Sequence, residues 1–257
     1  MYRFLFLSVL FLSSCKEINS NDEQVNVDLN NKSYYASFTK DEGLQKNNVE
    51  YSEKGASFLY SEKPSYLLLD SLKINKNNEI NISFWFQFTG DDPKNEQMLF
   101  SICDSVKSNK NINFWIAGRR LTAKINSNNL WAKEYNYEKG GSRMYYDLFQ
   151  LELGKFYFLS INITEDKAEV FINSELYVSY KELKDASINM DQMYLGTFHD
   201  VNDDFKYQFQ GYIRNLTIYN KTLNNKEIKT LSQEAYQEIF PYNDAFELSK
   251  FKTENFE

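Results

Sequence analysis

Apolar side chains fall on alternate positions along most of the chain. The clearest run is Ile80, Ile82, Phe84, Phe86 and Phe88, interleaved with Asn81, Ser83, Trp85 and Gln87. That period predicts a half-buried antiparallel strand with its apolar face on a core. Shorter strand-like runs span Tyr66–Leu72, Met98–Cys103, Ile112–Ala117, Leu121–Ile125, Leu130–Tyr137, Phe156–Thr164, Ala168–Ile172, Leu176–Tyr180 and Met193–Thr197. Asn173-Ser174-Glu175 reads as the turn of a hairpin. Many short strands with turns between them predict one all-β, antiparallel β-sandwich. No internal repeat or second domain is visible.

The chain is organised around residues 207–231. From Tyr207 to Tyr219 the pattern is that of a strand, but its phase slips between Ile213 and Leu216/Ile218. A strand with one face buried changes phase through a bulge or a bend, and Gly211 is the residue that tolerates either. The period then becomes helical. Asn224 fits an N-cap, Glu227 its reciprocal partner, and Leu223 with Ile228 a hydrophobic staple. Ile228, Leu231 and Ala235 form one stripe, so a short closing helix is expected against the sheet edge or rim.

This stretch resembles the last strand and closing helix of concanavalin A-like (laminin G-like) jelly-roll domains. The matching residues are Phe209, Gly211, Ile213, Leu216, Ile218, Tyr219, Asn220, Leu223, Glu227, Ile228 and Leu231. Ile82-Ser83-Phe84-Trp85-Phe86 is similar to that family's early strand with a central Trp. Ile161-Asn162-Ile163 through Val170-Phe171-Ile172-Asn173 is similar to its hairpin, with Ser174 where the family has Gly. Leu195-Gly196 resembles the strand before its variable loop. The resemblance runs over about residues 55–235 and implies a jelly-roll sandwich. It implies no single activity, because lectins, adhesins and enzymes share the fold.

The first fifteen residues, MYRFLFLSVLFLSSC, place one cation before an apolar run and small residues before Cys15. The run is shorter than the ~20 residues a spanning helix needs and has the form of a secretory signal. The residues before Cys15 resemble a bacterial lipobox, which implies acylation of Cys15 and anchoring in the outer membrane. Lys16-Glu17 resembles the Lys-acidic signal that sends Bacteroidota lipoproteins to the cell surface. Residues 16–33 are too polar to bury a core and read as a flexible tether. The domain is expected over 34–240, with 241–257 as a tail. Formal charge is −7, and removal of residues 1–14 takes away only Arg3, leaving −8. Such an acidic chain is not expected to bind nucleic acid. With Cys15 lipidated, the second of the 2 cysteines, Cys103, has no disulfide partner and is expected to be a buried core thiol.

Candidate chemistry is sparse. A retaining glucanase needs two carboxylates about 5–5.5 Å apart, and no Glu-x-Asp-x-x-Glu or Glu-x-Asp-x-Glu motif occurs. The nearest acidic cluster, Glu165 to Glu169, falls at a hairpin tip. Lyases with this fold use His and Tyr with Arg and Gln, and the single histidine, His199, is expected in a loop. Asp200, Asn202 and Asp204 alternate as calcium ligands do, and the resemblance implies calcium at such a rim; the other reading is a solvated polar loop. Asp91-Asp92 is a lesser metal candidate. Trp115, Arg119, Arg120, Trp131, Tyr135, Tyr137, Arg143, Tyr145 and Tyr146 lie close in sequence. Aromatic faces with Arg and Asn edges suit sugar or protein binding, although aromatics make up 17% of the chain and some of these must be core. The expected function is a surface-anchored, non-catalytic glycan-binding lipoprotein. The alternatives are an adhesive protein-binding lipoprotein and an atypical jelly-roll hydrolase or lyase.

Overall fold

In the computed structural model, the residues described are 32–70, 72, 79–90, 96–103, 111–126, 128–130, 151–181, 183, 192–199 and 205–239. In chain order the strands are β1 (Lys32–Ala36), β2 (Gln45–Asn47), β3 (Val49–Ser52), β4 (Gly55–Phe58), β5 (Tyr66–Asp70), β6 (Ile80–Phe88), β7 (Gln97–Cys103), β8 (Asn111–Ala117), β9 (Arg120–Ile125), β10 (Asn128–Leu130), β11 (Phe156–Ile163), β12 (Lys167–Ile172), β13 (Glu175–Lys181), β14 (Gln192–Leu195), β15 (Phe198–His199), β16 (Phe205–Lys206) and β17 (Gly211–Tyr219). One helix, α1 (Asn225–Ile239), follows. β1 begins inside the segment read as tether, because Tyr34, Tyr35 and Ala36 pair with Ile218, Thr217 and Leu216.

Two antiparallel sheets face each other. Sheet A runs β13-β12-β11-β6-β17-β4-β3, with β1 also on β17; sheet B runs β10-β9-β8-β7-β14-β5-β2. The inner faces meet in one core. Phe84 of sheet A meets Phe100 of sheet B edge-on at 5.9 Å, and Phe100 stacks on Phe114 at 5.0 Å. Each large side chain buried here contributes roughly 1.5–3 kcal/mol.

The phase slip in the last strand sits at Asn215 rather than Gly211. The register of β17 against β6 shifts between Arg214 and Thr217, and Asn215 has φ 51°. Gly211 is fixed by a different need. It has φ 151°, and a Cβ there would lie 1.9 Å from the Gln87 carbonyl oxygen. The regular strand starts at Gly211; Tyr207, taken as its beginning, instead turns at φ 58°. At the β12–β13 turn, Asn173 and Ser174 have φ 50° and 71°, the type I′ geometry that usually takes glycine. The Ser174 and Ser232 hydroxyls, 2.5 Å apart, tie that turn to the helix.

β6 is buried on both faces, not one: of its nine residues only Gln87 is even partly exposed. The second face is sealed by α1, which lies across the outer side of sheet A rather than on its edge. Ile228 and Leu231 pack there with Trp85, Phe158, Phe171, Tyr219 and Leu223. The cap is as expected. The Asn224 side-chain oxygen accepts from Lys226 N and Glu227 N at 3.0 Å, and Glu227 accepts from Asn224 N at 2.8 Å. Beside the apolar seal is a buried polar row. Asn81 Nδ2 donates to Ser160 Oγ and to Asn162 Oδ1, both at 2.9 Å. Asn162 in turn bonds both backbone groups of Leu223, at 2.7 and 3.0 Å.

Candidate functional site

The outer face of sheet B is built differently. Along β8, Ile112, Phe114 and Ile116 belong to the core, which turns Asn113 and Trp115 outward. Along β9, Leu121, Ala123 and Ile125 point inward, so Arg120, Thr122 and Lys124 share the outer face. Register places Trp115 opposite Thr122 and Asn113 opposite Lys124. Ser101 of β7 donates to Asn113 Oδ1 at 2.7 Å. The result is a half-buried indole beside short polar side chains, with cations at the β9 side.

β8 and β9 are joined by Gly118-Arg119, with φ 55° and 66°. This is a two-residue type I′ turn, and it sets Arg119 next to Arg120 at the tip. The Arg119 carbonyl accepts from Leu151 N at 2.9 Å, which ties the tip to the segment leading into sheet A. Tyr177 of β13 lies near Arg120. Burial pushes its phenol up to about 12, against the opposing pull of the Arg120 charge.

At the other side of this face the β15–β16 hairpin folds down on the strands. Tyr66 stacks on Phe205 at 4.8 Å and 5°, and His199 sits between Tyr194 (5.1 Å) and Phe205 (4.6 Å). His199 is therefore on a short strand clamped to sheet B, not in a free loop. Cys103 is buried and in no disulfide, as expected, but packs with Leu68 and Tyr194 under this hairpin instead of in the main core.

Of the proposed binding residues, the structure brings Trp115 and Arg119 to one hairpin. Trp131, Tyr135, Tyr137, Arg143, Tyr145 and Tyr146 lie outside the described residues, as do Cys15, Asp91, Asp92, Asp200, Asn202 and Asp204; the Leu130–Tyr137 strand is described only as far as Leu130, in β10. Glu165 and Asp166 are exposed at the hairpin tip, and Lys167 pairs with Glu169. Among the described residues no three His, Cys, Asp or Glu side chains are grouped to hold a metal ion. Asn113, Thr122 and Ser101 were not singled out from sequence. The alternation of β8 and β9 was the available signal, since it marks them as outward.

The family model for the concanavalin A-like lectin/glucanases superfamily matches residues 61–229. The chain belongs to the concanavalin A-like lectin/glucanase superfamily. No curated protein sequence matches it. Among solved structures of this superfamily fold, it is similar to the binding domain of botulinum neurotoxin DC in complex with rat synaptotagmin II, with TM-score 0.57, 15% identity, and coverage of 80% of this chain and 52% of that one. It is also similar to the receptor-binding domain of the botulinum neurotoxin C/D mosaic serotype, with TM-score 0.56, 16% identity, and 80% and 51% coverage. The serotype D binding domain gives TM-score 0.53, 16% identity and the same coverage. The chain spans about half the length of those domains, and likeness at this identity extends to the fold.

Proposed function

We propose that the chain is a surface-anchored lipoprotein whose concanavalin A-like domain binds glycan without catalysing its cleavage. The observation that carries this reading is the β8–β9 hairpin of sheet B. It sets the Trp115 ring beside Thr122, Asn113 and the Arg119-Arg120 tip. An aromatic platform flanked by hydrogen-bonding and charged groups is the lining a sugar ring requires. The only carboxylate at the outward positions of β5, β7, β8, β9 and β14 is Asp70, on β5. A single carboxylate on those strands supports binding over a two-carboxylate mechanism. Among the described residues Tyr177 lies near Arg120, but a phenol pushed up to about 12 is a poor base at neutral pH.

Anchoring rests on Cys15 and the apolar run before it. Two or more acyl chains hold a protein on a membrane stably, and among the described residues no helix is long and apolar enough to cross one. Cys15→Ser is expected to move the protein from the membrane fraction to the soluble fraction.

The binding test is a thermal shift of the full-length protein in detergent against a polysaccharide panel. A ligand at 100 times its dissociation constant adds roughly 2.7 kcal/mol. A shift without release of reducing sugar supports the reading. Repeating it with calcium and with chelator tests Asp200, Asn202 and Asp204. A chelator-sensitive shift supports calcium at these residues, and an insensitive one speaks against it. No shift with any polysaccharide favours the protein-binding alternative.

A further inference from the structure

The two ends of the sandwich differ. At one end, Lys32 of β1 pairs with Tyr219, which pairs with Asn81. This is where the chain arrives from its N-terminal segment and where α1 begins. At the other end, Gly211 pairs with Phe88 and Phe58. The nine residues of β17 separate the two ends by about 27 Å. Gln210 N donates to Gln97 Oε1 at 2.9 Å, and Gln97 pairs with Ile116, which pairs with Leu121. The Arg119-Arg120 tip therefore lies at the end away from Lys32.

That distal end also concentrates exposed apolar surface. Leu59 is 46% exposed, Tyr60 64% and Tyr207 45%. They are held close together, since Gln208 Nε2 donates to Ser61 O at 3.2 Å and Met98 N donates to Tyr207 O at 2.6 Å. Two arginines adjoin at this end. The formal charge of the chain is −7, yet Arg119 and Arg120 sit side by side at the β8–β9 turn. Asp70 lies at the opposite end of the strands, in the row with Gln192, Cys103 and Asn111. Of the carboxylates at this end, Glu152 near the tip is engaged by Lys155 at 2.6 Å, while Glu62 and Glu96 are exposed beside Tyr60 and Gln97.

We infer that the distal end of the sandwich, with Arg119 and Arg120 at its centre, binds an anionic polysaccharide carrying carboxylate or sulfate groups. The inference rests on the glycan-binding reading above and narrows it. Guanidinium groups meet carboxylate and sulfate oxygens through paired N–H donors, while Trp115 and Tyr60 offer ring faces to the sugar. A site at this end lies away from Lys32, where β1 begins.

The experiment measures binding of the full-length protein in detergent to polygalacturonate, dextran sulfate, unmodified dextran and laminarin. The two anionic polymers are expected to bind and the two neutral ones not. Arg119→Gln/Arg120→Gln is expected to weaken anionic binding about tenfold or more. Lys32→Gln/Lys181→Gln removes the same charge elsewhere on exposed positions and is expected to leave affinity within about twofold, because screening confines surface charge effects to about 10 Å. Tyr60→Ala, at the most exposed ring, is expected to weaken binding with no loss of fold. Equal loss in the two double variants would reduce the effect to bulk charge and overturn the inference. Neutral polymers binding as tightly, with loss only in Trp115→Ala, would overturn it while leaving the glycan reading intact. No binding by any polymer would remove both.

Discussion

The outer faces of the two sheets are made from similar materials and closed to different degrees. On sheet A the aromatic residues Trp85, Phe158 and Tyr219 are covered by the chain's own helix. The polar residues beside them, Asn81, Ser83, Ser160 and Asn162, bond one another and the Leu223 backbone. The polar row is satisfied internally and the helix covers the rings, so little of this face is offered to a ligand. On sheet B, Trp115 is only half-buried, and the charged residues Arg120 and Lys124 share its side of the sheet. An aromatic residue facing outward from a sheet is thus no sign of a binding site until what covers it is known.

Mutations should separate the two faces. The largest effect is expected from Trp85→Ala, which empties the seal under α1 and should cost about 3–5 kcal/mol in denaturant unfolding. Asn162→Leu comes next. It leaves the Leu223 N–H and C=O without their partner, at about 1–3 kcal/mol for each unsatisfied group. Asn224→Ala removes the helix cap and should cost about 1 kcal/mol. None of the three should alter ligand affinity once stability is allowed for. An effect of Asn162→Leu on affinity would break the distinction between the faces.

At neutral pH the last prediction is no change. Burial holds the phenols of Tyr34 and Tyr177 up to about 12, while an unfolded tyrosine ionises near pH ~10. The folded state therefore favours the neutral phenol. The stability this provides is complete below pH ~10 and is lost as pH rises toward about 12. The melting temperature should be flat between about pH 7 and 9 and fall above about pH 10. A fall beginning near pH 8 would contradict it.

Much of this was legible in the chain. β6 was read with the right ends because Ile80 to Phe88 alternate without interruption. The Asn224–Glu227 cap was read because its signature is local. What failed was non-local. Trp85 and Asn81 look solvent-facing until α1, more than a hundred residues on, covers them. The phase slip was visible, but Gly211 was the wrong place for it, because the close approach of Gln87 had already claimed that glycine. β15 and β16 are two residues each, too short for any period, and are fixed by the stacking of His199, Phe205 and Tyr66. Of the binding cluster, Trp115 and Arg119 fall on one hairpin because β8 and β9 are adjacent in sequence.

The central claim is that sheet B carries a non-catalytic binding site around Trp115. It is tested most directly by comparing wild type and Trp115→Ala in polysaccharide-induced thermal shift, with reducing-sugar release followed in the same samples. The account predicts a shift for wild type, none for Trp115→Ala, melting temperatures of the two free proteins within a few degrees, and no sugar released. An equal shift in Trp115→Ala, or release of sugar by wild type that the substitution abolishes, would contradict it.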